Sequence, residues 1–184
     1  MKQAKTALSI VFLLVLGVFI FIWIQNELEF REELATRPLP SGLHPIVEEK
    51  RDELVRQAAD IGIDILITDG FRSSEEQNSL HEQGRSTPGN IVTHARGGES
   101  YHNYGLAIDF ALRLENGDVV WDLARDDNGN GERDWYEVAV IGKVLGFDWG
   151  GDWQGFKDYP HLEMTFGLSI SELQNGWRPE DVAE

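Results

Sequence analysis

Apolar positions divide the chain into one unbroken run and several shorter, patterned stretches. Residues Ala7 to Ile24 (ALSIVFLLVLGVFIFIWI) carry no charge, and only Ser9 and Gly17 interrupt them. At about 1.5 Å per residue, a helix of this length just crosses a hydrocarbon core of roughly 30 Å, so the run predicts a transmembrane helix over residues 7–24. Lys2 and Lys5 precede it, and Glu27, Glu29, Glu32 and Glu33 follow. This asymmetry keeps residues 1–6 in the cytoplasm and exports everything after Gln25. A cleaved signal peptide is the alternative, although the run ends in Ile-Trp-Ile-Gln-Asn without a small-x-small site. Both readings export the remainder. Residues 25–44 are polar, with Pro38, Pro40, Ser41 and Gly42, and read as a linker to a domain over residues 45–184.

Within that domain the period of the apolar residues changes repeatedly. Pro45 suits the first position of a helix, and Ile46, Val47, Leu54, Val55, Ala58 and Ala59 recur at helical spacing up to Gly62. Ile63 to Thr68 predicts a strand. Ser73 with Glu76 forms a capping box for a helix ending near Gly84, and residues 85–100 are loop. Leu106 to Leu114 alternates and meets Val119–Trp121 across an Asn116-Gly117 turn, a hairpin signal. Trp135 to Leu145 predicts a helix, His161 to Phe166 a strand, and Ser169 with Glu172 a short final helix. The class is α+β: a small antiparallel sheet flanked by helices, preceded by one transmembrane helix.

Charge and composition narrow the chemistry. The 184 residues carry 16 Lys and Arg against 32 Asp and Glu, a net charge of −16, so no basic face exists for nucleic acid. There is no Cys, which excludes thiolate metal sites, a Cys nucleophile and disulfides. Any transition metal must then be held by carboxylates and the five histidines, His44, His81, His94, His102 and His161. His44 precedes a helix and His81 lies inside one without a partner at four-residue spacing. His94 sits in a polar loop, as a surface residue or a substrate contact.

His102 and His161 stand in richer contexts. SYHNYGLAIDF places His102 seven residues before Asp109, with Gly105 between them to let the backbone turn and approach closely. Asp109 interrupts an apolar alternation and shares a strand face with Ala107 and Ala111, which leave room around it. A charge there is costly unless paired or ligating, the alternative being an exposed edge strand. In DYPHLEM, Asp158 stands three residues before His161, across a turn stiffened by Pro160. Two imidazoles and one carboxylate fit a zinc site with an open fourth position, and Asp158 is spaced to act as the nearby base.

Together, GFRSSEEQ, SYHNYGLAID, GFDWGGDW and DYPH resemble, in that order along the chain, the motifs of the peptidoglycan zinc peptidases. That family includes VanY-type D-Ala-D-Ala carboxypeptidases and L-alanyl-D-glutamate endopeptidases, and the resemblance runs from about Ser41 to Thr165. The Asp-x-x-His form resembles the endopeptidase branch. The resemblance implies that His102, Asp109 and His161 are zinc ligands, Asp158 is the catalytic base, and Arg72 stabilises the oxyanion or holds substrate. It also implies that Gln77 and Ser100 line the substrate site. From the residues alone, Arg72 reads equally as a surface ion pair, Gln77 as a solvated helix position and Ser100 as a turn residue. Trp153 reads as a wall of the substrate groove and Trp149 as core.

A second pattern lies in RDDNGNGERDWYE. Asp126, Asn128, Asn130, Gly131 and Glu137 match D-x-[DN]-x-[DN]-G-x5-E, the spacing of a calcium loop, with Asp134 at the ninth position. Arg133 at the eighth position, and a strand rather than a helix before the loop, depart from the usual form. An acidic surface turn is the other reading. The expected protein is a monomeric, single-pass bacterial cell-membrane enzyme with its catalytic domain extracytoplasmic, using zinc, with the Asp126–Glu137 loop either a calcium site or a surface turn, and cutting peptidoglycan stem peptides at L-Ala–D-Glu. The alternatives are a D-Ala-D-Ala carboxypeptidase, or a non-catalytic zinc-containing module that binds cell wall or protein.

Overall fold

A computed structural model describes residues 2–182, with side chains from Phe12 onward; the side chains of Lys2 and Lys5 lie outside the described residues. The chain divides into two units, residues 1–38 and 39–184. The first is a single helix, α1 (Lys2–Thr36). Every residue from Phe12 to Ile24 is exposed, and by length and composition this helix is long and apolar enough to cross a membrane. It does not end at Gln25, where the linker was expected. Arg31 pairs with Glu27 and Arg37 with Glu33, each at 2.8 Å and four residues apart, which supports the polar turns as helix.

In the second unit α2 (Pro45–Asp60) begins at Pro45, with His44 as its N-cap: Nδ1 accepts from the Ile46 amide. It ends where Gly62 turns left-handed (φ 84°), as expected of a residue just past a helix. The chain then forms β1 (Ile65–Asp69) and α3 (Ser74–Glu82), the latter opened by the Ser73–Glu76 capping box. A long irregular segment leads to β2 (Ala107–Arg113) and its hairpin partner β3 (Val119–Val120). After a loop come α4 (Asp134–Val144), β4 (Asp148–Trp149), β5 (His161–Glu163) and α5 (Ile170–Gln174). Residues 39–44, also expected as linker, belong to this unit; the His44 amide donates to the Gly105 carbonyl at 2.9 Å.

The strands form one antiparallel sheet in the order β1-β2-β5-β4, with β3 also on β2. β2 is therefore interior, and Asp109 does not sit on an exposed edge. Strand β5 stops at Glu163, short of the expected Phe166, because Phe166 (φ 52°) and Gly167 (φ 79°) are left-handed and leave the strand. Helices α2 and α4 pack together on the sheet over Leu54, Ile108, Phe110, Trp135 and Leu162, all fully buried. Phe110 and Trp135 meet at 4.8 Å between ring centroids, closing the core under the site.

Candidate metal centre

Strand register brings the site together. Asp109 lies directly opposite His161 on β5 and opposite Asp69 on β1, past an irregularity between Ile67 and Asp69. Side chains of such opposed residues start about 5 Å apart, so short groups meet. His102 comes from the 3₁₀ turn Tyr101–Tyr104 that precedes β2, and Ser100 caps this turn by accepting from the His102 amide. Gly105 ends it in the left-handed region (φ 68°), where a Cβ would lie 2.2 Å from the Gly42 carbonyl oxygen. Only glycine meets both demands, as the sequence spacing implied.

The outcome is three converging ligand atoms. His102 Nε2 is 3.3 Å from Asp109 Oδ1, His161 Nδ1 is 3.2 Å from the same oxygen, and the two nitrogens are 3.2 Å apart. Tetrahedral zinc with bonds of about 2.0–2.1 Å separates its ligand atoms by about 3.3 Å, so the donor set and its spacing fit that ion. The far ring nitrogens are also held. His102 Nδ1 donates to the Gly70 carbonyl at 2.6 Å, and His161 Nε2 lies 2.8 Å from Glu163 Oε2. Such partners fix which nitrogen faces a metal.

Electrostatics follow from this geometry. Burial opposes the charge on Asp109, but hydrogen bonds from His102 and His161 outweigh it and hold the carboxyl well below the usual range. Burial alone would lower His161; its bonds to Asp109 and Glu163 push it up to about 9 instead. Asp158 is raised, first by burial and then by the charge of Asp109, against the pull of His161, His102 and Arg72. Its carboxylate makes no hydrogen bond or ion pair among the described residues. The backbone places it: the Asp158 amide donates to the Gly150 carbonyl at 3.1 Å, and a Cβ on Gly150 would lie 2.4 Å from the Asp158 carbonyl oxygen.

Arg72 reaches the same cavity. Its Nε and Nη2 donate to Asp69 Oδ2 at 3.1 and 2.5 Å, Nη1 donates to Gln77 Oε1 at 2.6 Å, and Nη2 stays 3.6 Å from Asp109 Oδ2. Gln77 corrects the sequence expectation of a substrate contact. It is fully buried, and its Nε2 donates to Thr93 Oγ1 and the Ala95 carbonyl, so it ties Arg72 to the loop instead of meeting substrate. The cavity holds about 660 Å³ and is lined by Arg72, Ser100, Trp153 and Asp158 together with the ligand cluster. Trp153 stands 5.1 Å from the His161 ring, while Trp149 is buried, as expected of a core residue, and donates from Nε1 to the Tyr159 carbonyl.

Glu163 and Trp121 are among the lining residues not assigned from sequence, whereas His94 was read as a surface residue or a substrate contact. Glu163 was findable, since it lies two residues after His161 and shares its strand face. His94 and Trp121 reach the cavity from loops, for which no periodicity gives a signal. Asp126, Asn128, Asn130 and Glu137 do not line it; they lie in and after the loop before α4.

An open three-ligand cluster, a free carboxylate and a fixed cation around one groove are the parts of a metallopeptidase site. Comparison with known proteins agrees. The family pattern described as D-alanyl-D-alanine carboxypeptidase, of peptidase family M15, matches residues 93–164. The chain is 55% identical over 161 residues to the peptidoglycan L-alanyl-D-glutamate endopeptidase CwlK of Bacillus subtilis (strain 168), covering 88% of this chain and 96% of that one. It is 34% identical over 105 residues to the L-alanyl-D-glutamate peptidase of Listeria phage A118, covering 57% of this chain and 32% of that protein. Its fold is shared with the L,D-carboxypeptidase DacB from Streptococcus pneumoniae, at TM-score 0.50 and 22% identity over 79% of this chain and 83% of that one. The chain belongs to the M15 family of peptidoglycan zinc peptidases, and it is a metallopeptidase.

Proposed function

We propose that this enzyme is a membrane-anchored, extracytoplasmic endopeptidase that cuts the L-Ala–D-Glu bond of peptidoglycan stem peptides. The observation that carries the reading is the free, burial-raised carboxylate of Asp158 beside the His102–Asp109–His161 cluster. The choice of bond draws on the 55% identity to CwlK across nearly all of that protein.

His102 through Nε2, His161 through Nδ1 and Asp109 through Oδ1 would hold zinc. The ion would supply Lewis acidity that polarises the scissile carbonyl and acidifies water. Asp158 takes the proton of the attacking water and delivers it to the departing amine of D-Glu. Its raised pKa strengthens it as a base for that exchange. Arg72, fixed by Asp69 and Gln77, presents a preorganised positive charge to the carbonyl oxygen as that atom becomes negative. Trp153 and Ser100 bound the groove that seats the stem peptide.

Residues 1–6 are assigned to the cytoplasm, residues 7–24 to the membrane, and the unit from residue 39 onward to the peptidase domain outside. An all-round apolar surface from Phe12 to Ile24 supports the anchor, because such a helix has no polar face for water. A monomer is sufficient, since one chain supplies every ligand and the base. The test is product analysis with the full-length protein in detergent. Muropeptides should lose the stem between L-Ala and D-Glu, and a chelator should abolish this. Loss of only a terminal D-Ala would make it a carboxypeptidase instead. Intact muropeptides after incubation with the folded, zinc-loaded enzyme would favour a binding module.

A further inference from the structure

We propose that Trp121 is a stacking platform for the sugar ring that carries the stem peptide, so that the substrate groove extends to the glycan. The inference rests on the reading that the bond cut is L-Ala–D-Glu, because that cut brings the sugar close to the metal centre.

The indole is held flat with one face open. Trp121 follows β3, lines the cavity and is 54% exposed. It stacks on Trp135, with ring centroids 5.9 Å apart and planes 29° from parallel. Trp135 is fully buried and packs in turn on Phe110. A ring backed by the core on one side presents its other side to the cavity. Such a fixed apolar plane gives up little conformational freedom when a ligand covers it.

Strand register fixes how far Trp121 stands from the metal centre. Leu112 pairs with both Ile65 and Val120, and Asp109 pairs with both Asp69 and His161. β3 and β5 therefore lie end to end along the edge of β2 that faces away from β1. Between them the Phe110 amide donates to the Pro160 carbonyl at 3.1 Å. One step beyond Val120, the register sets Trp121 opposite Ala111, two positions from the Asp109–His161 pair and on the same sheet face. At about 3.3 Å per residue, that separation is roughly 7 Å.

The substrate has a group of matching shape at that reach. The stem begins on the lactyl group of N-acetylmuramic acid. Only L-Ala and the lactyl unit then separate the scissile carbonyl from the ring, a span of roughly 7 Å when extended. Alanine, D-Glu and the diamino acid that follows offer no broad apolar face, whereas the C–H face of a pyranose does. Charge points the same way. The chain carries a net charge of −16, and the cavity walls include Asp69 and Glu99 beside the ligand cluster. An amide-linked muramyl ring is neutral and meets these walls without like-charge repulsion.

The test gives the full-length, zinc-loaded protein in detergent two substrates: a disaccharide muropeptide, and the same stem peptide with an N-acetyl group in place of the glycan. Mass spectrometry identifies the bond cut, and kcat/KM is measured for each. The wild type should cut both between L-Ala and D-Glu and favour the muropeptide about three- to tenfold, the scale of one aromatic stack. Trp121→Ala should bring that ratio close to one, while Trp121→Phe, which keeps a ring, should retain most of it. Trp121→Leu fills the space against Trp135 without a flat ring and carries the same expectation if Trp121→Ala does not fold. Cleavage at L-Ala–D-Glu without preference for the muropeptide overturns the platform and leaves the bond assignment standing. A preference that survives in Trp121→Ala or Trp121→Leu does the same. Release of only a terminal D-Ala overturns the bond assignment, and the platform with it.

Discussion

Glu163 Oε2 stands 2.8 Å from His161 Nε2, and this contact decides which face of the His161 ring is left for metal. With Nε2 committed to Glu163, Nδ1 points at Asp109 and His102. Glu163→Ala should therefore lower zinc affinity by about 10–100-fold without unfolding the protein, as loss of an orienting partner does. Glu163→Gln, which keeps an acceptor, should cost less. Competition with a zinc-binding dye measures both. Equal affinities for Glu163→Ala and wild type would remove Glu163 from this role.

Asp158 is separable from the ligands. Asp158→Asn should bind one zinc as the wild type does, yet lose about 10²–10⁴ in kcat with little change in KM. Metal analysis and steady-state kinetics on a muropeptide check this. If Asp158→Asn instead lost its zinc, the residue would be a ligand and the base would lie elsewhere.

Zinc binding should release a proton from His161. Its pKa in the metal-free fold is raised from 6.5 to about 9, so Nδ1 is protonated at neutral pH and must be vacated. Affinity should rise by up to about tenfold per pH unit and flatten above about pH 9. The sign reverses for the metal-free fold: protonated His161 contributes its full stability below pH 6.5, and that contribution is lost as pH climbs through about 9. Calorimetry in buffers of different ionisation heat reads the released proton directly. Zinc heats that do not vary with the buffer at pH 7.5 would contradict this.

Gln77 acts through Arg72. Gln77→Ala leaves the Thr93 and Ala95 acceptors and one Arg72 donor without their partner, at a cost of about 1–3 kcal/mol in denaturant unfolding. Because Arg72 keeps its bond to Asp69, activity should fall through kcat but not vanish. Gln77→Glu retains an acceptor for Arg72 and should recover most of the kcat, which a purely structural role for Gln77 would not produce.

Local patterns proved the most legible. The capping boxes at Ser73 and Ser169, the Asn116-Gly117 hairpin and the His102–Gly105–Asp109 spacing each operate within a few residues, so sequence contains their whole cause. The convergence of His102, Asp109 and His161 was readable because Gly105 and Pro160 constrain the chain next to each histidine. The burial of Gln77 was not readable, since its partners stand 16 and 18 residues away in an irregular loop. The two-residue strand β4 is too short to show a period. Helix α1 outlasts its apolar run because Glu27–Arg31 and Glu33–Arg37 pair at four-residue spacing, a signal that the polar composition and the prolines beyond it obscured.

The most direct test of the account is a crystal structure of the zinc-loaded protein with anomalous diffraction at the zinc edge. One peak is expected within about 2.0–2.2 Å of His102 Nε2, Asp109 Oδ1 and His161 Nδ1, with a fourth position open toward Asp158. Zinc bound instead through His161 Nε2 and Glu163, or with Asp158 completing a closed shell, would contradict it.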